Sequence, residues 1–253
     1  MAVRSPLSRR RVLEAALRVV DEEGLDGLSM RRVATELGVE TMALYRYTPS
    51  KNDLLDGLVE SLFIELEQAL DSAASASAAS ASAASASAAS ASADAASADA
   101  VADPRDEAAP PWREALLGIA RAMYRVALAH PHVIPLVAVR PFTVPLARRP
   151  AAVLRAHERL LALLGTAGLD EETTLKMYRA FISWVLGYIV IELREVVDNP
   201  DEPDPAFRLG LHRLPVKDFP LLRSLGPALA VRGGEEQLAA GLDALLGRYL
   251  PDR

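Results

Sequence analysis

The sequence predicts an all-α protein, with a small N-terminal head of short helices followed by a larger C-terminal helical bundle. Three observations lead there. Apolar residues recur three and four positions apart along most of the chain, no segment alternates in the manner of a strand, and Gly, Pro and small polar residues interrupt the periodic runs at helix-like intervals. With 253 residues, 51% of them hydrophobic and 25% charged, the chain has ample apolar material for a core, and wholesale disorder is excluded. The absence of Cys excludes a disulfide framework, a thiolate zinc site, an iron–sulfur cluster and a cysteine nucleophile.

In the first helix, Leu13, Ala16, Leu17 and Val20 fall on one face between Arg10 and Glu23, and Gly24 stands where a left-handed cap would stop it. Ser29 then offers an N-cap to a second helix with Met30, Val33, Ala34 and Leu37 on one side, ended by Gly38. Arg32 occupies the position where a capping box would have Glu. A third short helix is expected from about Glu40 to Tyr47, and Pro49-Ser50 breaks the chain and caps a fourth, Lys51 to Asp71. Next comes a low-complexity stretch in which SAASA begins at Ser72, Ser77, Ser82 and Ser87 and decays to SADAA at Ser92 and SADAV at Ser97. A five-residue step on a helix rotates by about 500°, so the serines spiral around the axis and no lasting apolar stripe forms. Ala permits helix there, but nothing is expected to hold it; the stretch reads as a tether or as a neutral expansion in a surface loop. Beyond it, helical spacing covers Trp112 to Ala129, Pro150 to Ala167, Glu171 to Val196 and Glu235 to Leu250, with a Pro-rich, charged loop over Asp198 to Phe219. These boundaries divide the chain into a head (1–55), a connecting helix (56–71), a linker (72–110) and a bundle (111–253).

The net charge of −6 conceals an asymmetry. Residues 1–51 carry nine Lys/Arg against seven Asp/Glu, a local +2 that leaves −8 for the remainder. A cationic head on an anionic body is compatible with a nucleic-acid contact confined to one end. The basic N-terminus lacks a signal-peptide core, because Glu14 and Arg18 interrupt its apolar run, so a cytoplasmic protein is expected. The most apolar run, Ala180 to Leu193, is taken for a buried helix, being about a dozen residues against the ~20 that a bilayer requires, and no membrane partner is expected.

Two short helices joined by a turn containing Gly38, braced by a third, form the helix-turn-helix pattern that lays its second helix in the DNA major groove. The text SMRRVATELGVETMALYRYTPSKNDLLDGL over 29–58 closely resembles the DNA-binding head of the tetracycline-repressor (TetR) family, in its Gly38-Val39 turn, its Ala43-Leu44-Tyr45 core and its Ser50-Lys51 helix start. The resemblance continues through Trp112-Arg113-Glu114-Ala115-Leu116, the Arg140-Pro141 step, Leu186-Gly187 and the closing run Leu238 to Leu246. It leaves out the Ala/Ser insert and the loop around 198–218.

On the recognition helix, Val39 and Leu44 are expected to pack inward, leaving Glu40, Thr41, Met42 and Arg46 to face the groove. Arg46 can pair bidentately with guanine, Met42 and the Thr41 methyl can touch a thymine methyl, and Glu40 can accept from a cytosine amino group. Glu40 departs from the Ser or Thr cap of many family members, and an acid there is either a base reader or a helix-dipole partner. Tyr45, Tyr47 and Lys51 resemble family positions that grip phosphates and Arg31 a further phosphate or base contact, although the two tyrosines also suit a cover for the small core of the head.

One head offers too little surface for tight specificity, so a homodimer on a double-stranded palindromic operator is expected. The resemblance places its interface on the last helix, along Leu238, Leu242, Leu245, Leu246 and Tyr249, and on the helix around Thr174 to Leu193. It also implies a small-molecule effector pocket, for which Phe63, Met123, Tyr124, Val139, Phe142, Met177, Tyr178, Trp184 and Tyr188 are the candidates. Leu136 stands where tetracycline-binding members have a metal-ligating His, four residues before the Arg-Pro step, and Glu67 replaces a polar His on helix four. A magnesium–tetracycline complex is therefore not the expected ligand, and no metal or cofactor is expected. His130 and His132, two apart on a helix, point to different faces. Enzyme signatures such as GxSxG, GxGxxG, HExxH and a P-loop are absent from the text, and no Glu-x-x-His pair for a helical di-iron site occurs. The competing readings are a DNA-binding regulator gated by a protein partner or acting architecturally, and, more remotely, an enzyme.

Overall fold

The structure, a computed structural model, describes residues 6–91, 110–193, 210–229 and 231–249, and all of its regular elements there are helical. The head comprises α1 (Arg9–Gly27), α2 (Met30–Leu37) and α3 (Thr41–Leu44). Helix α4 (Lys51–Ala91) leads away from it, and α5 (Pro111–Ala129), α6 (Ile134–Val139), α7 (Ala151–Gly165), α8 (Glu171–Leu193), α9 (Pro220–Leu229) and α10 (Gly234–Gly247) follow, with short 3-10 turns around Pro131–Val133, Arg140–Phe142, Leu146–Arg148 and Leu211–Arg213.

Local chemistry explains the head. Ser8 caps α1 by accepting from the Arg11 amide at 3.3 Å, and Ser29 caps α2 by accepting from that of Arg32 at 3.1 Å. Gly38 ends α2 at φ 63°, ψ 39°, a left-handed conformation that a Cβ would strain, and its N–H reaches back to the carbonyls of Ala34 and Thr35. Gly24 also has a positive φ, 74°, but with ψ 178° it lies outside the left-handed helical region. It therefore kinks the chain rather than ending it, and helical turns resume as far as Gly27. Val12, Ala16, Val19, Val33, Leu44, Leu54 and Leu58 are buried together, so α1, α2 and α3 share one core with the first turns of α4. Gly57 lets α4 approach α1 closely, since a Cβ there would run into the side chain of Leu13.

Helix α4 corrects the expectation for the Ala/Ser repeat. It does not stop at Asp71 but runs on to Ala91, 41 residues or roughly 60 Å in all. Propagating a helix that is already formed escapes the nucleation cost, and Ala is the best helix former, so no packing is required to hold it. Ser72, Ser75 and Ser80 return their hydroxyls to the carbonyls four residues back. The rest of that repeat, from Ser92, lies outside the described residues, as does most of the expected loop over 198–219.

In the bundle, α5 is central. It packs against α4, α7, α8 and α10, burying Leu116, Leu117, Ala120 and Tyr124. The apolar run Ala180 to Leu193 belongs to a helix of 23 residues, long and apolar enough by length and composition to cross a membrane. Met177, Phe181, Val185 and Ile189 turn one face of it into the core, yet only 22% of its most apolar stretch is buried. Helix α9 leaves Leu221, Leu222, Leu225 and Leu229 in solvent. Arg223 ties it to the preceding turn, donating to the carbonyls of Leu211 and His212 at 3.1 and 2.8 Å.

Candidate nucleic-acid interface and ligand cavity

Helix α3 presents one side to solvent and anchors the other. Leu44 and Thr48 are fully buried, Val39 and Tyr47 pack partly against the core, and the amides of Tyr47 and Thr48 both donate to the Leu44 carbonyl. On the open side Glu40, Met42, Tyr45 and Arg46 are exposed, Met42 by 74%, while Thr41 is half-buried at the edge. The α-helix proper ends at Leu44 rather than Tyr47, but Tyr45 keeps helical angles, so the exposed side chains stay on one surface. Glu40 occupies the N-cap with no side-chain capping bond. Arg31 and Lys51 are exposed at either flank, and Ser50 caps α4 by accepting from the Asp53 amide at 3.1 Å. Thus Arg31, Glu40, Met42, Tyr45, Arg46 and Lys51 are free to meet a partner, whereas Tyr47 also serves the core. Arg32, by contrast, is a brace: it donates to Glu23 at 2.6 Å and Glu36 at 3.0 Å, joining the end of α1 to α2.

Arg140, His130 and His132 fasten the head to the body, His132 Nδ1 lying 3.0 Å from the Val20 carbonyl of α1. Arg140 donates to Asp56 at 2.7 Å and to the Asn52 carbonyl at 3.2 Å, both on the first turns of α4. His130, at the end of α5, lies between two carboxylates, with Nδ1 2.8 Å from Asp21 of α1 and Nε2 3.0 Å from Glu65 of α4. The ring thus links head, connecting helix and body. Its side chain is mostly buried, as is the Asp21 Oδ1 atom, which has no partner among the described residues. Replacing His130 with Ala leaves two carboxylates facing each other and is expected to cost about 1–3 kcal/mol of unfolding free energy in urea titration. An unchanged midpoint would show that the bridge holds nothing.

Between α4, α5, α6, α7 and α8 lie two adjoining apolar hollows that share Phe63, Leu66, Met123, Val137 and Leu186. They hold about 350 and about 520 Å³ of unfilled space, open mouths included. Of the nine residues expected around an effector, Phe63, Met123 and Phe142 line them. The other six are placed elsewhere. Met177 is core, Val139 is 58% exposed, and Tyr178 stands behind the wall, hydrogen-bonded to His157. Tyr188 lies between Tyr124 and Trp184, its ring centroid 6.3 and 6.1 Å from theirs with the planes tilted, where α5 and α8 meet α10. Trp184 donates to the Leu238 carbonyl at 3.1 Å and Tyr188 to that of Gly234 at 2.9 Å. Burial, reinforced by the charge of Glu192, pushes the Tyr188 phenol up to about 12, so it remains a donor. These aromatics join helices and line neither hollow. Sequence reasoning missed His157, Leu160, Phe181 and Leu186, whose only signal is the helical periodicity of α7 and α8.

The stripe on the last helix is divided in the structure. Leu238, Leu242 and Leu246 are fully buried inside the chain's own bundle, and Leu245 and Tyr249 pack partly against it. An apolar helix face first covers the core it folds onto, so Leu238, Leu242 and Leu246 serve this chain's own bundle, while Leu245 and Tyr249 keep part of their surface open. The outward side of α10 carries Gln237, Ala240, Ala244 and Arg248 instead.

Residues 12–58 match the family model of the tetR family of bacterial regulatory proteins, and residues 104–247 match that of the tetracyclin repressor-like C-terminal domain. The chain belongs to the TetR family. The HTH-type transcriptional repressor DrrR1 of Streptomyces coeruleorubidus is 30% identical over 184 residues, 73% of this chain and 52% of that protein, so the match spans about half of that relative's length. Among solved structures, ActR of Streptomyces coelicolor in complex with actinorhodin superposes with a TM-score of 0.64 at 23% identity, covering 98% of this chain and 96% of its own. BioQ with its double-stranded DNA operator superposes with a TM-score of 0.52 at 21% identity, covering 94% and 99%. These likenesses show the TetR fold, with its N-terminal helix-turn-helix and C-terminal helical domain.

Proposed function

We propose that this TetR-family chain is a homodimeric, sequence-specific repressor that leaves a palindromic operator when a small apolar molecule fills the cavity. One observation carries the reading. Helix α4 belongs to both sites: Lys51 on its first turn flanks the recognition surface, while Leu62, Phe63 and Leu66 further along form cavity wall. Pro141 and Phe142 line the same cavity, and the adjacent Arg140 holds the first turns of α4 through Asp56 and Asn52. A ligand that spreads this wall shifts α4 and with it the spacing of two heads, and it acts only so far as it binds the spread state better.

Relatives support each half: BioQ is solved on its operator and ActR with actinorhodin. The uncovered apolar side chains of α8, Leu175 and Ile191 among them, support a dimer, which we place on the outward sides of α8 and α10. Base reading is assigned to Arg46, Met42, Thr41 and Glu40, and backbone contact to Arg31, Tyr45, Tyr47 and Lys51. Selection from a randomised duplex pool at fixed salt is expected to return a palindrome with half-site centres about 34–36 Å apart, or a multiple. Binding governed by salt alone, with no sequence recovered, would overturn the proposal and favour partner gating or an architectural role.

A further inference from the structure

His157 faces the cavity from α7 and is the one polar side chain among an apolar lining that includes Phe63, Met123, Phe181 and Leu186. Tyr178 on α8 holds it, the phenol oxygen 2.9 Å from Nδ1. Its Nε2 is buried and has no hydrogen-bond partner among the described residues. Burial keeps the imidazole below the ordinary histidine range, and the charge of Arg149 adds to this, so the ring is neutral and carries one N–H. With the Tyr178 hydroxyl as the donor to Nδ1, the ring proton sits on Nε2. A buried N–H left without an acceptor is destabilising, and a molecule in the cavity relieves this by presenting an oxygen.

Charge narrows the class of molecule. Arg149 stands 5.4 Å from the centroid of the Phe142 ring, which lines the same cavity, and its Nε is likewise buried with no partner. Arg149 pairs with no carboxylate among the described residues, and no acidic side chain lines this hollow. Phe142 is 51% exposed, so the cavity opens beside it and water can share a charged group there.

Building on the ligand-release reading, we infer that the cavity selects apolar acids: molecules with an aromatic or aliphatic body and one carboxylate, an oxygen of which accepts from His157 Nε2 while Arg149 balances the charge. Tyr178 is the positioning residue that sets the tautomer.

The test is calorimetric titration of the full chain with 2-naphthoate and, as its cationic counterpart, 2-naphthylmethylammonium. The acid is expected to bind at least about tenfold more tightly. His157→Phe is expected to weaken the acid about tenfold and leave the amine unchanged, His157→Gln to restore most of the affinity by returning a donor, and Arg149→Met to weaken the acid alone. Equal binding of acid and amine, or indifference of the acid to His157→Phe and Arg149→Met, would overturn the inference while leaving a ligand-binding cavity in place. If neither probe binds, the inference and the cavity's role as a ligand site fall together.

Discussion

Arg46→Ala is expected to weaken binding of the dimer to the selected duplex by about thirtyfold or more, since each of its two heads loses a base contact of about 1–3 kcal/mol. Non-specific binding at low salt is expected to survive. The reason is geometric. Leu44 and Thr48 are buried on either side of it, so the backbone that carries Arg46 is fixed, while the guanidinium itself is exposed and enters no ion pair among the described residues. The side chain costs no core packing to remove, and its loss acts on recognition alone. Lys51→Ala serves as the contrast, because a phosphate contact carries no sequence information. It is expected to lower affinity for selected and random duplexes alike and to reduce the slope of log K against log salt by about one per head. Fluorescence anisotropy with labelled duplexes at several salt concentrations separates the two. An Arg46→Ala variant that keeps full selectivity would remove Arg46 from the readout and shift the weight to Met42 and Glu40.

The second large effect concerns the last helix. Leu242→Ala is expected to cost about 2–5 kcal/mol of folding stability, since the side chain is fully buried between α5, α8 and α10 and its removal leaves a cavity. Dimer assembly is expected to fail only as the fold fails. Ala240→Glu tests the opposite side. Ala240 is exposed and faces away from the bundle, so the variant is expected to keep the unfolding midpoint while its sedimentation shifts from dimer towards monomer. Urea denaturation and sedimentation velocity on both variants decide the matter. A stable Leu242→Ala monomer would return the leucine stripe to the interface, and a dimeric Ala240→Glu would place the interface elsewhere. Gly241, between the two, tolerates no side chain, because a Cβ would run into the ring of Trp184.

Much of the head was legible because its signals are local. A Ser oxygen three residues ahead of an amide, or a Gly that alone takes φ 63° without strain, acts within one turn and is written into a few consecutive letters. The open side of α3 was legible for the same reason: in a helix this short, anchoring Leu44 leaves few places for Met42, Tyr45 and Arg46 to go. The cavity was much less so. Aromatic residues at helical spacing signal burial but not what they are buried against, and Tyr124, Trp184 and Tyr188 meet one another rather than line a hollow. His157 carried no pattern in the sequence, since its role depends on Tyr178, one helix away, and on an apolar wall gathered from α4 to α8.

The boundary between the two kinds of knowledge follows the range of the forces. Helix class, caps, the helix-turn-helix and the charge of the head depend on neighbours within a few residues, and for these the chain text was sufficient. Three matters depended on segments far apart in the chain: that Leu238, Leu242 and Leu246 face inward, that His130 joins Asp21 to Glu65, and that the hollow closes around Phe63 and His157. An amphipathic helix specifies that it has an apolar face; what covers that face is settled by the packing of the whole chain.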